Sequence, residues 1–213
     1  MRKILFINAC VRDSSRTLIL ARDLLCKLSG EVPTEESTEE SVEVTGKNTT
    51  DVSERTKGEV TKLRLEEEKI EPLSKDSLEK RDRLLAAGKT EDDFFCYARQ
   101  FAQADCIVIA APYWDLAFPA LLKSYLEAVT VSGITFCYEN NRPKGLCRAK
   151  HLYYVTTSGG PIVSDFGYPY VEALATNLYG IRETTCIRAE NLDMDGADVE
   201  KILDNAKAGI LKQ

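Results

Sequence analysis

The chain has 213 residues, 44% of them hydrophobic, enough for one well-buried domain without requiring two. Its formal charge is −6, but residues 34–56 hold seven acids against Lys47 and Arg55, so the remainder is close to neutral and offers no basic face for nucleic acid or an anionic membrane. Seven cysteines without a C-x-x-C pair, an N-terminal apolar run of only Ile4 to Ile7 and no stretch of membrane-spanning length lead us to expect reduced thiols in a soluble cytoplasmic protein.

In chain order, "KILFI" (3–7) reads as a fully buried strand. The polar loop "NACVRDSSR" follows, and Ser14 or Ser15 can cap a helix with apolar spacing at Leu18, Ala21, Leu25 and Leu28 that ends near Gly30. Residues 34–56 carry nine Ser/Thr and only three valines, too little to bury a core, and are expected to be a flexible acidic insertion before the second strand. "EVTKLRL" (59–65) alternates like an edge strand with one wet face. A helix over 91–103 precedes an apolar strand at 105–111, and the next helix has Pro119 in its first turn. "HLYYVTT" (151–157) is a further strand, followed by a Gly-Gly loop and a helix at 168–179. A fifth strand lies at 184–189 and a closing helix at 197–211. Strands alternating with helices imply a single α/β domain over 1–213: three layers, with a parallel sheet covered by helices on both faces.

In such a sheet ligands bind beyond the carboxyl ends of the strands, where three loops are expected to converge. The first enters a helix N-terminus, whose free amides and dipole attract phosphate, with Ser14, Ser15 and Thr17 adding donors and Arg16 adding charge. Read plainly, it is an ordinary N-cap. The second, Pro112 to Phe118, places Tyr113, the only tryptophan (Trp114), Asp115 and Leu116 where a flat ligand would rest. The third, "TTSGGP" (156–161), lets backbone amides approach closely at Gly159 and Gly160, although a glycine pair is most often a turn. A phosphate site, a planar wall and a strip of donors are the needs of a flavin mononucleotide, whose own ring carries the hydride chemistry, so no catalytic side chain is required. The single histidine, His151, begins a strand away from the loops and reads as structural. No Ser–His–Asp set or two-histidine metal site can be assembled.

Residues 111–161, "APYWDLAFPALLKSYLEAVTVSGITFCYENNRPKGLCRAKHLYYVTTSGGP", resemble the FMN-dependent NAD(P)H azoreductase and quinone reductase family. The shared features are the Pro-aromatic loop, the Lys-x-Tyr helix, the Gly-x-Thr-Phe-x-Tyr segment and the Gly-Gly loop. The likeness extends over 1–29 and about 59–211. It implies a flavodoxin-like sheet of five parallel strands in the order 2-1-3-4-5. Ser15, Arg16 and Thr17 would hold the FMN phosphate, and Pro112, Tyr113, Trp114, Asp115 and Leu116 would line the isoalloxazine edge. Thr157, Ser158, Gly159 and Gly160 would contact the pyrimidine end. It also implies a homodimer with FMN at the interface, NADH or NADPH as donor, and two-electron, ping-pong reduction of quinones, azo dyes or nitroaromatics. Tyr168 and Tyr170 are candidates for the acceptor pocket or plain packing.

Three positions depart from the family pattern. Asp115 stands where asparagine is common, Ala9 or Cys10 replaces an early phosphate-loop serine, and Ser158 occupies a frequent arginine position. Two other readings compete. One is a flavodoxin-like electron carrier. The other comes from Cys10-x5-Arg16-Thr17, which resembles the low-molecular-weight tyrosine phosphatase loop, with Cys10 as a thiolate nucleophile and Arg16 as the phosphoryl clamp. No Asp-Pro general-acid segment accompanies that loop, and it leaves Tyr113 and Trp114 unexplained.

Overall fold

Apolar, β-branched segments at Arg2–Asn8 (β1), Cys106–Ala110 (β3) and His151–Thr157 (β6) form the buried centre of the sheet, flanked by Gly58–Arg64 (β2) and Glu183–Ala189 (β7). The computed structural model describes residues 2–30 and 58–211, so the acidic insertion at 34–56 lies outside the described residues. The order is β2-β1-β3-β6-β7 and every neighbouring pair is parallel. This is the expected 2-1-3-4-5 order once the main-sheet strands are counted alone. The registers Leu5↔Ile107 and Ile107↔Leu152 bring the carboxyl ends of the strands to one edge. β2 closes one side, and its burial pattern is that of a half-wet edge strand, as its alternation foretold.

Alternate side chains serve opposite layers. Ile4, Phe6, Val108 and Val155 meet helices Arg16–Ser29 (α1) and Val199–Leu211 (α6) through Leu20, Leu24 and Leu203. Leu5, Ile7, Ile107, Ile109 and Tyr154 face the other layer, formed by Cys96–Gln103 (α3), Ala120–Val129 (α4) and Tyr168–Leu174 (α5). There the rings of Phe101 and Tyr179 meet edge-on at 4.9 Å between centroids.

Two elements were not legible in the sequence. Lys75–Ala86 forms helix α2, capped by a reciprocal Ser74–Ser77 pair, and buries no residue completely. Its Leu84 and Leu85 pack on a satellite cluster of Phe95, Ala98 and Val131. Phe136–Glu139 (β4) and Arg142–Gly145 (β5) form an antiparallel hairpin, turned through Asn140 and Asn141 at φ 52° and 61°. No described helix is long and apolar enough to cross a membrane.

Candidate functional site

At the carboxyl edge, the chain leaving β1 reaches α1 through a short loop fixed by Asn8, whose Oδ1 accepts the Cys10 amide at 2.9 Å. Ser15 is the N-cap and its hydroxyl accepts the Leu18 amide at 3.4 Å. Its own amide is used by the Arg12 carbonyl at 3.1 Å. The amides of Arg16 and Thr17, in the first helical turn, therefore lack an acceptor within the helix and sit at its positive end.

Buried β3 ends at Ala110, and the chain then turns outward in a tight loop. Trp114 and Ala117 exchange two backbone hydrogen bonds at 3.3 and 2.7 Å, enclosing Asp115 at φ 49° and Leu116 at φ 66°. Positive φ at both central positions is the type I′ arrangement. Aspartate tolerates it through local polar contacts, but leucine is strained there by about 1–2 kcal/mol. The turn leaves Trp114 and Leu116 exposed at 41% and 42%, holding two large apolar groups on the rim.

The three loops meet. Thr17 on α1 and Thr157 at the end of β6 join their hydroxyls at 2.6 Å, and the Tyr113 amide donates to the Thr157 carbonyl at 3.0 Å. The Tyr113 hydroxyl donates to Ser164 O at 2.8 Å, and the Phe166 amide donates to Leu116 O at 2.9 Å, so the segment after β6 also clasps the second loop. Ser158 donates its hydroxyl to Gly160 O at 2.6 Å, and its amide to Ala189 O at 3.0 Å. A Cβ on Gly159 would come within 2.3 Å of Asp193 Oδ2, whereas the space above Gly160 is open. Ser15, Arg16, Thr17, residues 112–116 and residues 157–160 thus share one rim.

Several side chains are committed elsewhere. The Thr17 hydroxyl is fully buried against Thr157, so Thr17 presents its amide rather than its oxygen. Tyr168 turns its hydroxyl to Glu172 and Thr184 at 2.8 and 3.0 Å, inside the α5–β7 packing. Tyr170 stacks at a tilt on Phe118 (5.9 Å), with Lys123 over its ring, beside a 230 Å³ cleft lined in part by Leu126 and Leu174. His151 bonds Glu183 and Thr185 at the amino end of β6, remote from the rim, and burial holds its pKa below the usual value.

The sequence reading missed the loop after β7. Asp193 and Leu192 donate their amides to Gly159 O (2.8 Å) and Ser158 O (3.2 Å). Arg16 reaches this loop with both terminal nitrogens, to Leu192 O at 2.8 Å and Asp193 Oδ1 at 2.5 Å. Parallel topology was the available signal, because the polar stretch "NLDMDG" follows a strand whose carboxyl end shares the edge.

A family described as having the flavodoxin-like fold matches residues 34–213. The FMN-dependent NADH:quinone oxidoreductase of Lachnoclostridium phytofermentans is 39% identical over 152 residues, spanning 70% of this chain and 76% of that protein. The chain belongs to this flavodoxin-like family. FMN-dependent NADH:quinone oxidoreductase 2 of Clostridium acetobutylicum is 44% identical over 115 residues, 51% of this chain and 57% of that protein, so this chain aligns with little more than half of that relative. In fold, the chain resembles the azoreductase of Bacillus anthracis strain Sterne, with TM-score 0.78 and 20% identity over 100% of this chain and 98% of that one. An FMN-dependent NADH-azoreductase from Bacillus anthracis strain Ames Ancestor, solved in complex with FMN, gives 0.74 at 19% identity over 100% of this chain and 97% of that one.

The geometry of the first loop argues against its competing phosphatase reading. Cys10 is 2% exposed, its Sγ lies 3.8 Å from the Ala110 carbonyl, and burial pushes the thiol pKa up against a weaker opposing effect of Ser15. A nucleophilic thiolate needs the opposite shift and an open approach. Cys10 is a core side chain, and Arg16 is turned away toward Asp193. The rim instead suits a phosphorylated planar ligand: free amides at a helix start, two exposed apolar side chains beside a rigid turn, and an unfilled space over Gly160.

Proposed function

We propose that this chain is an FMN-dependent NAD(P)H oxidoreductase performing two-electron, ping-pong reduction of quinones, azo or nitroaromatic compounds in the cytoplasm. The observation that carries this reading is the hydrogen-bonded meeting of α1, the Trp114–Ala117 turn and the Thr157–Gly160 strip at one rim. Family membership supports it, with relatives named as FMN-dependent NADH:quinone oxidoreductases. Ser15 and the amides of Arg16 and Thr17 would take the phosphate, Pro112 to Leu116 the ring edge, and Thr157 to Gly160 the pyrimidine end. FMN, when bound, supplies the hydride chemistry. The chain's own task is placement. The helix start fixes an anion, and the exposed faces of Trp114 and Leu116 exclude water from one side of a flat ligand. Asp115 is exposed, and its charge disfavours added negative charge nearby, which lowers the potential of an adjoining redox group.

The homodimer with FMN at its interface belongs to the same proposal. Trp114, Leu116, Val163, Phe166 and Met194 are all exposed, and all lie on segments that leave the carboxyl edge. Apolar groups gathered around a rim suit a partner's surface. Light scattering at micromolar concentration is expected to show the dimer mass.

One preparation tests the activity. Purified protein is expected to be yellow, to bleach with NADH or NADPH under anaerobic conditions, and to regain colour with benzoquinone. Colour without bleaching would support an electron carrier instead, and a protein that neither carries nor takes up FMN would refute the assignment.

A further inference from the structure

Arg16 is the first residue of α1, so its side chain leaves the backbone at the helix start, where a phosphate would settle. Yet both terminal nitrogens reach across to the loop after β7, one to a backbone carbonyl and one to a carboxylate. That carboxylate is itself fixed, because Asp193 packs on Gly159 where a Cβ would stand and donates its amide to Gly159 O at 2.8 Å. The pair is partly exposed, at 34% and 64% of its side-chain surfaces, so it is open to a competing anion.

We propose that Asp193 withholds the Arg16 guanidinium from the phosphate end of the rim, so that phosphate is held by uncharged donors and Arg16 serves as a strap between α1 and the loop after β7. The inference rests on the FMN reading above and deepens it. Arg16 and Asp193 together contribute no net charge, leaving the helix-start amides and Ser15 to hold the anion. The strap joins the first and third loops, since Asp193 bonds both Arg16 and Gly159. Replacing Asp193 with asparagine keeps the Leu192 carbonyl contact but removes the carboxylate that neutralises the guanidinium. Arg16 is a positioning residue in this scheme.

FMN and riboflavin, which differ only in the phosphate, provide the test by fluorescence titration of the flavin-free protein at low and high salt. In the wild type the ratio of the two affinities is expected to change little with salt. Asp193→Asn is expected to raise that ratio about tenfold at low salt, the scale of one charge-assisted hydrogen bond, and to lose the gain at high salt. An unchanged ratio in Asp193→Asn would overturn the proposal. So would an Arg16→Gln variant that loses FMN affinity while keeping that for riboflavin. A wild-type protein that binds neither flavin would refute the proposed function, and the strap would then be read without ligand. Melting temperatures of the two single variants and the double variant are expected to be non-additive, and additive shifts would remove the strap.

Discussion

Tyr125, in the α4 face of the core, is fully buried and its hydroxyl has no hydrogen-bond partner among the described residues. Its ring lies between Tyr97 and Phe101, at 6.2 and 6.4 Å, and burial raises its pKa well above the ordinary value. An unpaired buried hydroxyl costs about 1–3 kcal/mol. Tyr125→Phe removes that cost and leaves a void of about 10 Å³, worth about 0.2 kcal/mol at the usual cavity slope. The net expectation is a gain of about 1–3 kcal/mol, or a melting temperature higher by about 2–11 °C for a chain of this size. Tyr179 supplies the control. It is equally buried, but its hydroxyl meets Thr130 Oγ1 at 2.6 Å, so Tyr179→Phe is expected to cost about 1 kcal/mol. Thermal unfolding of the flavin-free variants by circular dichroism reads both. If Tyr125→Phe lowers the midpoint as Tyr179→Phe does, the hydroxyl has an acceptor or a bound water, and the reasoning fails.

Three other outcomes follow from the geometry. A Cβ at Gly145 would lie 2.2 Å from the backbone of Tyr179 and Gly180, which cannot yield as a side chain can. Gly145→Ala should therefore cost about 3 kcal/mol or more in urea unfolding, and a loss below about 1 kcal/mol would contradict that contact. Leu116→Gly relieves about 1 kcal/mol of left-handed strain, so the flavin-free protein should be at least as stable while FMN affinity drops several-fold. A clear loss of stability would show that the turn is not strained. At His151, burial outweighs the opposing pull of Glu183 and keeps the folded pKa below 6.5. The folded chain then binds a proton less readily than the unfolded one. The stability linked to the neutral ring is complete above about 6.5 and declines as pH falls through that value. His151→Gln should flatten this part of the melting-temperature profile between about pH 5 and 7, and an unaltered slope would place the acid sensitivity elsewhere.

The main sheet was legible because its central strands are largely apolar, its edge strand β2 alternates with one wet face, and the strands end at polar turns. His151–Thr157 matches the expected bounds, and Ser15 and Gly30 cap α1 as anticipated. Helix α2 escaped because seven of its twelve residues are charged and its apolar stripe is too thin to stand out from solvated loop. The β4–β5 hairpin escaped because its strands have four residues each and one carries Pro143. At the rim, residue types singled out three loops, and parallel topology brings them together. The partner of Arg16 was not readable, since Asp193 lies 177 residues away and only the folded sheet edge brings them together. The Thr17 hydroxyl was hidden for the same reason, being consumed by Thr157 across 140 residues.

The contact of the β4–β5 hairpin with the end of the fifth helical segment also limits how this molecule can vary. Gly145 and Gly180 press backbone to backbone, and Gly180 turns at φ 79°, where any side chain is strained whatever the room around it. Such a junction offers no complementary exchange, because shrinking one side to admit growth on the other is impossible when both are already minimal. Adaptation at this seam has to proceed by lengthening or replacing the whole hairpin rather than by trading single residues.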